Sequence, residues 1–355
     1  MIMEREKYRE YRPGMKLSDY YDPERVPLLT MQQLRQLDFP ITLRISYERT
    51  CDEFLTQLAV NDMLRPLRLH SNLVILLDSQ GALIREDNHW MLLFTPNRGE
   101  HLTLDENAEL YPVLRQLIEK KDEGTVCQVP VPDRSMKTMV TKSAPFCILD
   151  EYCKTQPGRF LSVAERIVTD GPEELYQHVP VCHYGELTTV DKDEIENYHT
   201  IKSLLEDYIY QFEHQDENGC PAPLSVAIFG SPGSGKSFGV KQLAKSIGKF
   251  QVTSLNLSQL KEPSQLGDAM YEAVHSAPKD RIPLIFFDEF DSELNGVPRG
   301  WLKYFLAPMQ DGEFVKDGRT HLVHGGVFVF AGATASNFNE FIPKEAKAQE
   351  GFRAV

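Results

Sequence analysis

Two spacings of apolar residues alternate along this chain. Short apolar runs bounded by polar turn residues predict strands at 73–77, 82–84 and 90–94, with a turn at Asp78-Ser-Gln-Gly81 between the first two. Apolar residues recurring every three or four positions predict helices at 51–64 and 160–168, the latter stopped by Asp170-Gly171-Pro172. The longest such pattern covers 191–212, where positions 195, 198, 201, 205, 208 and 212 lay one apolar stripe along a helix. A polar, proline-punctuated segment follows, Gln215-Asp-Glu-Asn-Gly219 and Pro221-Ala-Pro223. Beyond it the two patterns take turns: strand 224–229, helix 238–247, strand 250–257, helix 265–275, strand 283–287, helix 301–309, turn 310–313 and strand 327–330. Such alternation predicts parallel strands joined by right-handed crossovers, with a ligand at their carboxyl ends.

The fold class that follows is α/β. A chain of 355 residues is roughly twice a common domain length of about 100–200. The pattern divides it into a flexible terminus at 1–20, where Arg, Lys, Glu and Tyr mix without periodicity, a smaller mixed α/β domain at 21–185, and the alternating region at 186–355. Hydrophobic residues at 41% and charged residues at 25% are those of a folded globular chain. The apolar runs fall far short of the ~20 residues that span a bilayer, so no membrane role is expected. Six scattered cysteines without a C-x-x-C pair predict reduced thiols, no zinc and a cytoplasmic setting. A net charge of −14 disfavours a nucleic-acid partner. His199, His214, His321 and His324 lack partners at metal-ligand spacing and are expected at the surface or in capping roles. Lys241 and Lys245, four positions apart after the glycine-rich loop, are expected to face water.

One segment carries specific chemistry. Strand 224–229 runs directly into Gly230, Ser231, Pro232, Gly233, Ser234, Gly235, Lys236 and Ser237, and Phe238 opens the following helix. Three glycines let the backbone turn its amides inward, where they and the positive helix end can hold α/β-phosphates. Lys236 is placed to reach the β/γ-phosphates and the Ser237 hydroxyl to ligate Mg2+. The strand 283–287 ends in the carboxylates Asp288 and Glu289, suited respectively to hold the magnesium and to polarise an attacking water. Asp291 and Glu293, by contrast, read as a solvated acidic loop. Strand 327–330 leads to Thr334, expected beside the γ-phosphate. The cofactors expected are thus ATP and Mg2+, and the catalytic set is Lys236, Asp288, Glu289 and Thr334.

Residues 186–355 resemble the nucleotide-binding core of an AAA+ ATPase, a P-loop NTPase with a parallel sheet flanked by helices. The resemblance rests on the loop at 230–237, the Asp288-Glu289 pair and a sensor-1-like position at Thr334, with Ser336 or Asn337 as alternatives. The stretch from Trp301 to Phe314 is similar to the helix and turn before sensor 1 in Clp-type members. It implies Mg-dependent ATP hydrolysis coupled to remodelling or assembly of a macromolecular partner by a homo-oligomer. It also makes Val190, Tyr198 and Ile201 candidates to lie near the adenine, although plain core is the better reading of all three. Family members continue with an arginine finger, a fifth strand and a helical lid; here Arg353 is a candidate finger, although an exposed terminal arginine is the better reading, so a fragment or a minimal form is expected. A nucleotide-gated switch or scaffold with little turnover is the alternative, and a small-molecule kinase a weaker one. Residues 72–83 faintly resemble the late strand and glycine turn of ribokinase-like sugar kinases, without the catalytic loop that should follow.

Overall fold

The computed structural model describes the chain except for residues 1–3, 12–16, 18–21, 23, 38, 44, 97–103, 105–107, 134–144, 215–219, 231, 232, 234, 324, 333, 334, 336 and 342–355. It divides into two compact units, Met1–His183 with Thr188–His199, and Tyr184–Leu187 with Thr200–Val355.

The first unit is built on a six-stranded mixed sheet, in the order β1 (Tyr8–Glu10), β2 (Val26–Thr30), β3 (Leu73–Asp78), β4 (Gly81–Glu86), β5 (His89–Phe94) and β6 (Cys127–Val131). The first three strands are parallel and the remainder antiparallel. Tyr8–Glu10 therefore belong to the sheet, where the sequence suggests a loose terminus, and Tyr8 is buried against Tyr111. Strand alternation sends Leu73, Ile75 and Leu83 to one face, packed with Cys51 and Phe54 of helix α1 (Tyr47–Val60). Val74, Leu76, Ala82 and Ile84 pack on the other face with Leu114 and Leu117 of α2 (Leu110–Asp122). Ser46 caps α1, its hydroxyl accepting from the Arg49 N–H at 3.0 Å. The predicted helix at 160–168 is α3 (Arg159–Asp170). The longest helix, α4 (Lys192–Glu213), contributes its start to this unit and the rest to the second. Its predicted stripe is buried at Ile195, Tyr198, Leu205 and Tyr208 and half-buried at Ile201 and Phe212.

The second unit holds β7 (Leu224–Ile228), α5 (Lys236–Ile247), β8 (Phe250–Asn256), α6 (Pro263–His275), β9 (Ile282–Asp288), α7 (Leu306–Gln310), β10 (Glu313–Lys316), β11 (Arg319–Leu322) and β12 (Val327–Ala331). Four strands form an all-parallel sheet in the order β8-β9-β12-β7. Central β9 is buried along its apolar length, as a parallel strand covered on both faces requires. Phe287 anchors one face, edge-on to Phe305 at 4.7 Å and stacked on Phe330 at 5.2 Å. The helix predicted at 301–309 is broken into a 3-10 turn, Leu302–Tyr304, and the short α7. Pro308 explains the break, because it offers no N–H to the carbonyl four residues earlier. The hairpin β10–β11 was not foreseen; its turn is Asp317-Gly318, both left-handed at φ 50° and 72°, the geometry that matches strand twist.

Candidate functional site

The loop after β7 ends at Gly235, which caps α5 with φ 78°, and Gly233 shares that value. A Cβ at either position would meet nothing within 4 Å, so glycine is required there by backbone conformation and not by crowding. Neighbouring strand ends hold the loop in place. The Gly230 N–H donates to the Ala335 carbonyl at 3.3 Å, and the Gly332 N–H to that of Ile228 at 3.1 Å.

Lys236 opens α5, and its ammonium folds back to donate to the Gly230 carbonyl. Burial pulls its pKa below the ordinary lysine value, while the negative charge of Asp291 pulls the other way. The next residue, Ser237, donates its hydroxyl to Asp288 Oδ1 at 2.8 Å, tying the helix start to the end of β9. Asp288 is half-buried, and Glu289 after it turns into the left-handed region at φ 56°. A non-glycine residue held there is a mark of local backbone strain. Gly233, Gly235, Lys236, Ser237, Phe238, Asp288 and Glu289 all line one cavity of about 370 Å³, with Asn256, Ala331 and Gly332.

Of the loop and sensor residues named from the sequence, Ser231, Pro232, Ser234, Thr334 and Ser336 lie outside the described residues, as does Arg353. Asn337 is exposed, and its Oδ1 accepts from the Glu340 N–H at 3.0 Å at the head of a short helix. Val190, Tyr198 and Ile201 do not line the cavity; Val190 packs on the core of the first unit. Three expectations are corrected. Lys241 faces Asp288 rather than water, its Nζ 3.7 Å from Oδ2, because one turn of α5 after Ser237 puts it on the same helix face as that serine, which also meets Asp288. Asp291 is not a solvated acid but 5% exposed, beneath the loop lysine it influences. His199, expected near the surface, is buried with Nδ1 2.6 Å from the Ile45 carbonyl oxygen. Asn256 escaped notice, although it ends the strand whose register partner is Asp288. Among the described residues no cluster of three or more His, Cys, Asp or Glu could hold a metal by itself, and no helix is long and apolar enough to cross a membrane.

A glycine loop, a helix whose first turn lines a cavity, and a hydroxyl–carboxylate pair together form an anion and cation seat of the kind that takes a nucleotide phosphate. Residues 226–342 match the model of the AAA family, the ATPase family associated with various cellular activities. This segment is an AAA+ ATPase core. No curated protein matches the chain. Among solved structures it is similar to the ORC2 protein of Aeropyrum pernix in its ADP form, at 16% identity over 38% of this chain and 40% of that one, with a TM-score of 0.23. NtrX from Brucella abortus in complex with ADP is 11% identical over 49% of this chain and 45% of that one, with a TM-score of 0.22. The chain thus spans less than half of either structure's length, and likenesses so distant carry no weight beside the family match.

Proposed function

We propose that the chain binds ATP with Mg2+ in the loop 230–237 and hydrolyses it, as a homo-oligomer that couples turnover to the remodelling or assembly of a macromolecular partner. The observation that carries this reading is the 2.8 Å contact between Ser237 and Asp288, which puts a hydroxyl and a carboxylate at the mouth of the loop with Glu289 beside them. Two hard oxygen donors facing a cavity fit magnesium, which keeps its other positions for phosphate oxygens and water. When bound, that ion would neutralise charge on the β/γ-phosphates.

The chain's own residues divide the work. The backbone of Gly230, Ser231, Pro232, Gly233, Ser234 and Gly235 wraps the phosphates, and Lys236 exchanges its Gly230 carbonyl for a phosphate oxygen. Glu289 orients and polarises water, and Thr334 stands as the sensor on sequence spacing alone. Six free cysteines fit the cytoplasmic setting.

Lys236→Ala is expected to abolish ATP binding, whereas Glu289→Gln should hold ATP and stop turnover. Equal ATP consumption by both variants and the parent would refute the assignment. ATP-dependent change of oligomer size with negligible parent turnover would favour the switch over the motor.

A further inference from the structure

Ser237 and Lys241 share one face of α5, and both reach Asp288, one at each carboxylate oxygen. The serine hydroxyl donates to Oδ1 at 2.8 Å, and the lysine ammonium lies 3.7 Å from Oδ2. The two acid–base partners are similarly shielded, with side chains 28% and 27% exposed. Lys241 Nζ also sits 4.8 Å from the ring centroid of Phe286. Phe286 is two residues before Asp288 in β9, so both project from the same face of the sheet toward α5. The ring and the carboxylate together fix where the ammonium can stand, and a cation over an aromatic face gains from the ring quadrupole.

This arrangement has an electrostatic consequence for any cation that would sit between Ser237 and Asp288. The Asp288 charge is already matched by Lys241, and Lys236 with the positive end of α5 adds further repulsion. A bare divalent ion gains little at such a seat. Phosphate groups arriving with the ion bring the negative charge that tips the balance.

We propose that Lys241 is a positioning residue for Asp288 that suppresses binding of metal alone, so that the site takes its divalent cation together with nucleotide phosphates. The inference rests on the phosphate-site reading given above, yet it can fail separately.

The test uses the full chain as parent, Lys241→Met, Lys241→Gln and Lys241→Arg. Binding of Mn2+ without nucleotide is read from the free-ion EPR signal, and binding of a fluorescent ATP analogue is measured with excess Mg2+. Both neutral variants should bind Mn2+ about tenfold more tightly than the parent, ~1.4 kcal/mol, and Lys241→Arg should stay near the parent. A change below about twofold in the neutral variants, disagreement between them, or an arginine variant that matches them overturns the proposal. Failure of the parent to bind the analogue removes the phosphate-site reading instead, and the Mn2+ comparison still judges Lys241.

Discussion

Glu48 of the first unit offers a sharp quantitative test of how the fold handles charge. It lies in the first turn of α1, 4% exposed, and its Oε1 accepts from the Ile148 N–H at 3.3 Å. Burial pushes its carboxyl from 4.5 up to about 7; Glu196 adds to the rise, while its own backbone N–H, that of Ile148 and the Lys192 charge oppose it. An unfolded chain releases this proton near 4.5, whereas the folded chain keeps it to about 7. The contribution to stability is therefore full below 4.5 and lost as pH climbs through about 7. At ~1.36 kcal/mol per pH unit over that interval, the loss is about 3 kcal/mol. Glu48→Gln keeps the acceptor for Ile148 and removes the titration. Relative to the parent, the variant should gain about 3 kcal/mol between pH 4.5 and pH 8. Urea unfolding followed by fluorescence checks this. The chain has two tryptophans, so a Trp301→Phe background leaves Trp90, at 4% exposure in the first unit, as the reporter. Parallel pH dependences for variant and parent would refute the reasoning.

Three further outcomes are expected. Gly235→Ala adds a Cβ that meets nothing but forces φ 78° on an L residue, at about 1 kcal/mol or more; the melting temperature should fall by about 2–4 °C, and ATP-analogue affinity should fall as the loop relaxes out of that turn. Gly267→Ala in α6 would drive its Cβ into the Val315 carbonyl oxygen of β10, costing about 1–3 kcal/mol; protease cleavage in the β10–β11 hairpin should rise, and unchanged cleavage would contradict that packing. Asp291→Asn removes the charge that opposes the lowered pKa of Lys236. Nucleotide affinity should then begin to decline at lower pH than in the parent, which titration of affinity from neutral to alkaline pH measures.

The alternating half of the chain was legible because its parallel strands are continuous apolar runs and its phosphate loop has a fixed spacing. Strands β7, β8, β9 and β12 agree within a residue or so with the runs at 224–229, 250–257, 283–287 and 327–330. The hairpin β10–β11 went unread since Glu313-Phe-Val-Lys and Arg319-Thr-His-Leu carry little apolar alternation, although Asp317-Gly318 held the turn signal. In the first unit, the helix Leu110–Asp122 was missed despite Leu110, Leu114, Leu117 and Ile118 on one face, its pattern interrupted by Pro112 in the first turn. The strands Tyr8–Glu10 and Val26–Thr30 are too short to announce themselves; long-range pairing makes them strands. Local spacing singled out Lys236, Ser237, Asp288 and Glu289, which line one cavity. Lys241 and Asp291 were misjudged because their surroundings depend on which way α5 and the end of β9 face, which local sequence does not state.

The register of the parallel sheet sets Asn256, Asp288, Ala331 and Ile228 in one transverse row. Side chains along a strand alternate between faces, so β9 tolerates no odd change in length. Removing one residue upstream of Asp288 would carry the carboxylate to the face now filled by Phe287 and put Glu289 in its place beside Ser237. The loops at the opposite, amino ends of these strands are free to lengthen or shorten in single steps, but the strand itself can be edited only in pairs. Natural variants of this core should therefore record their insertions and deletions almost wholly outside 282–288.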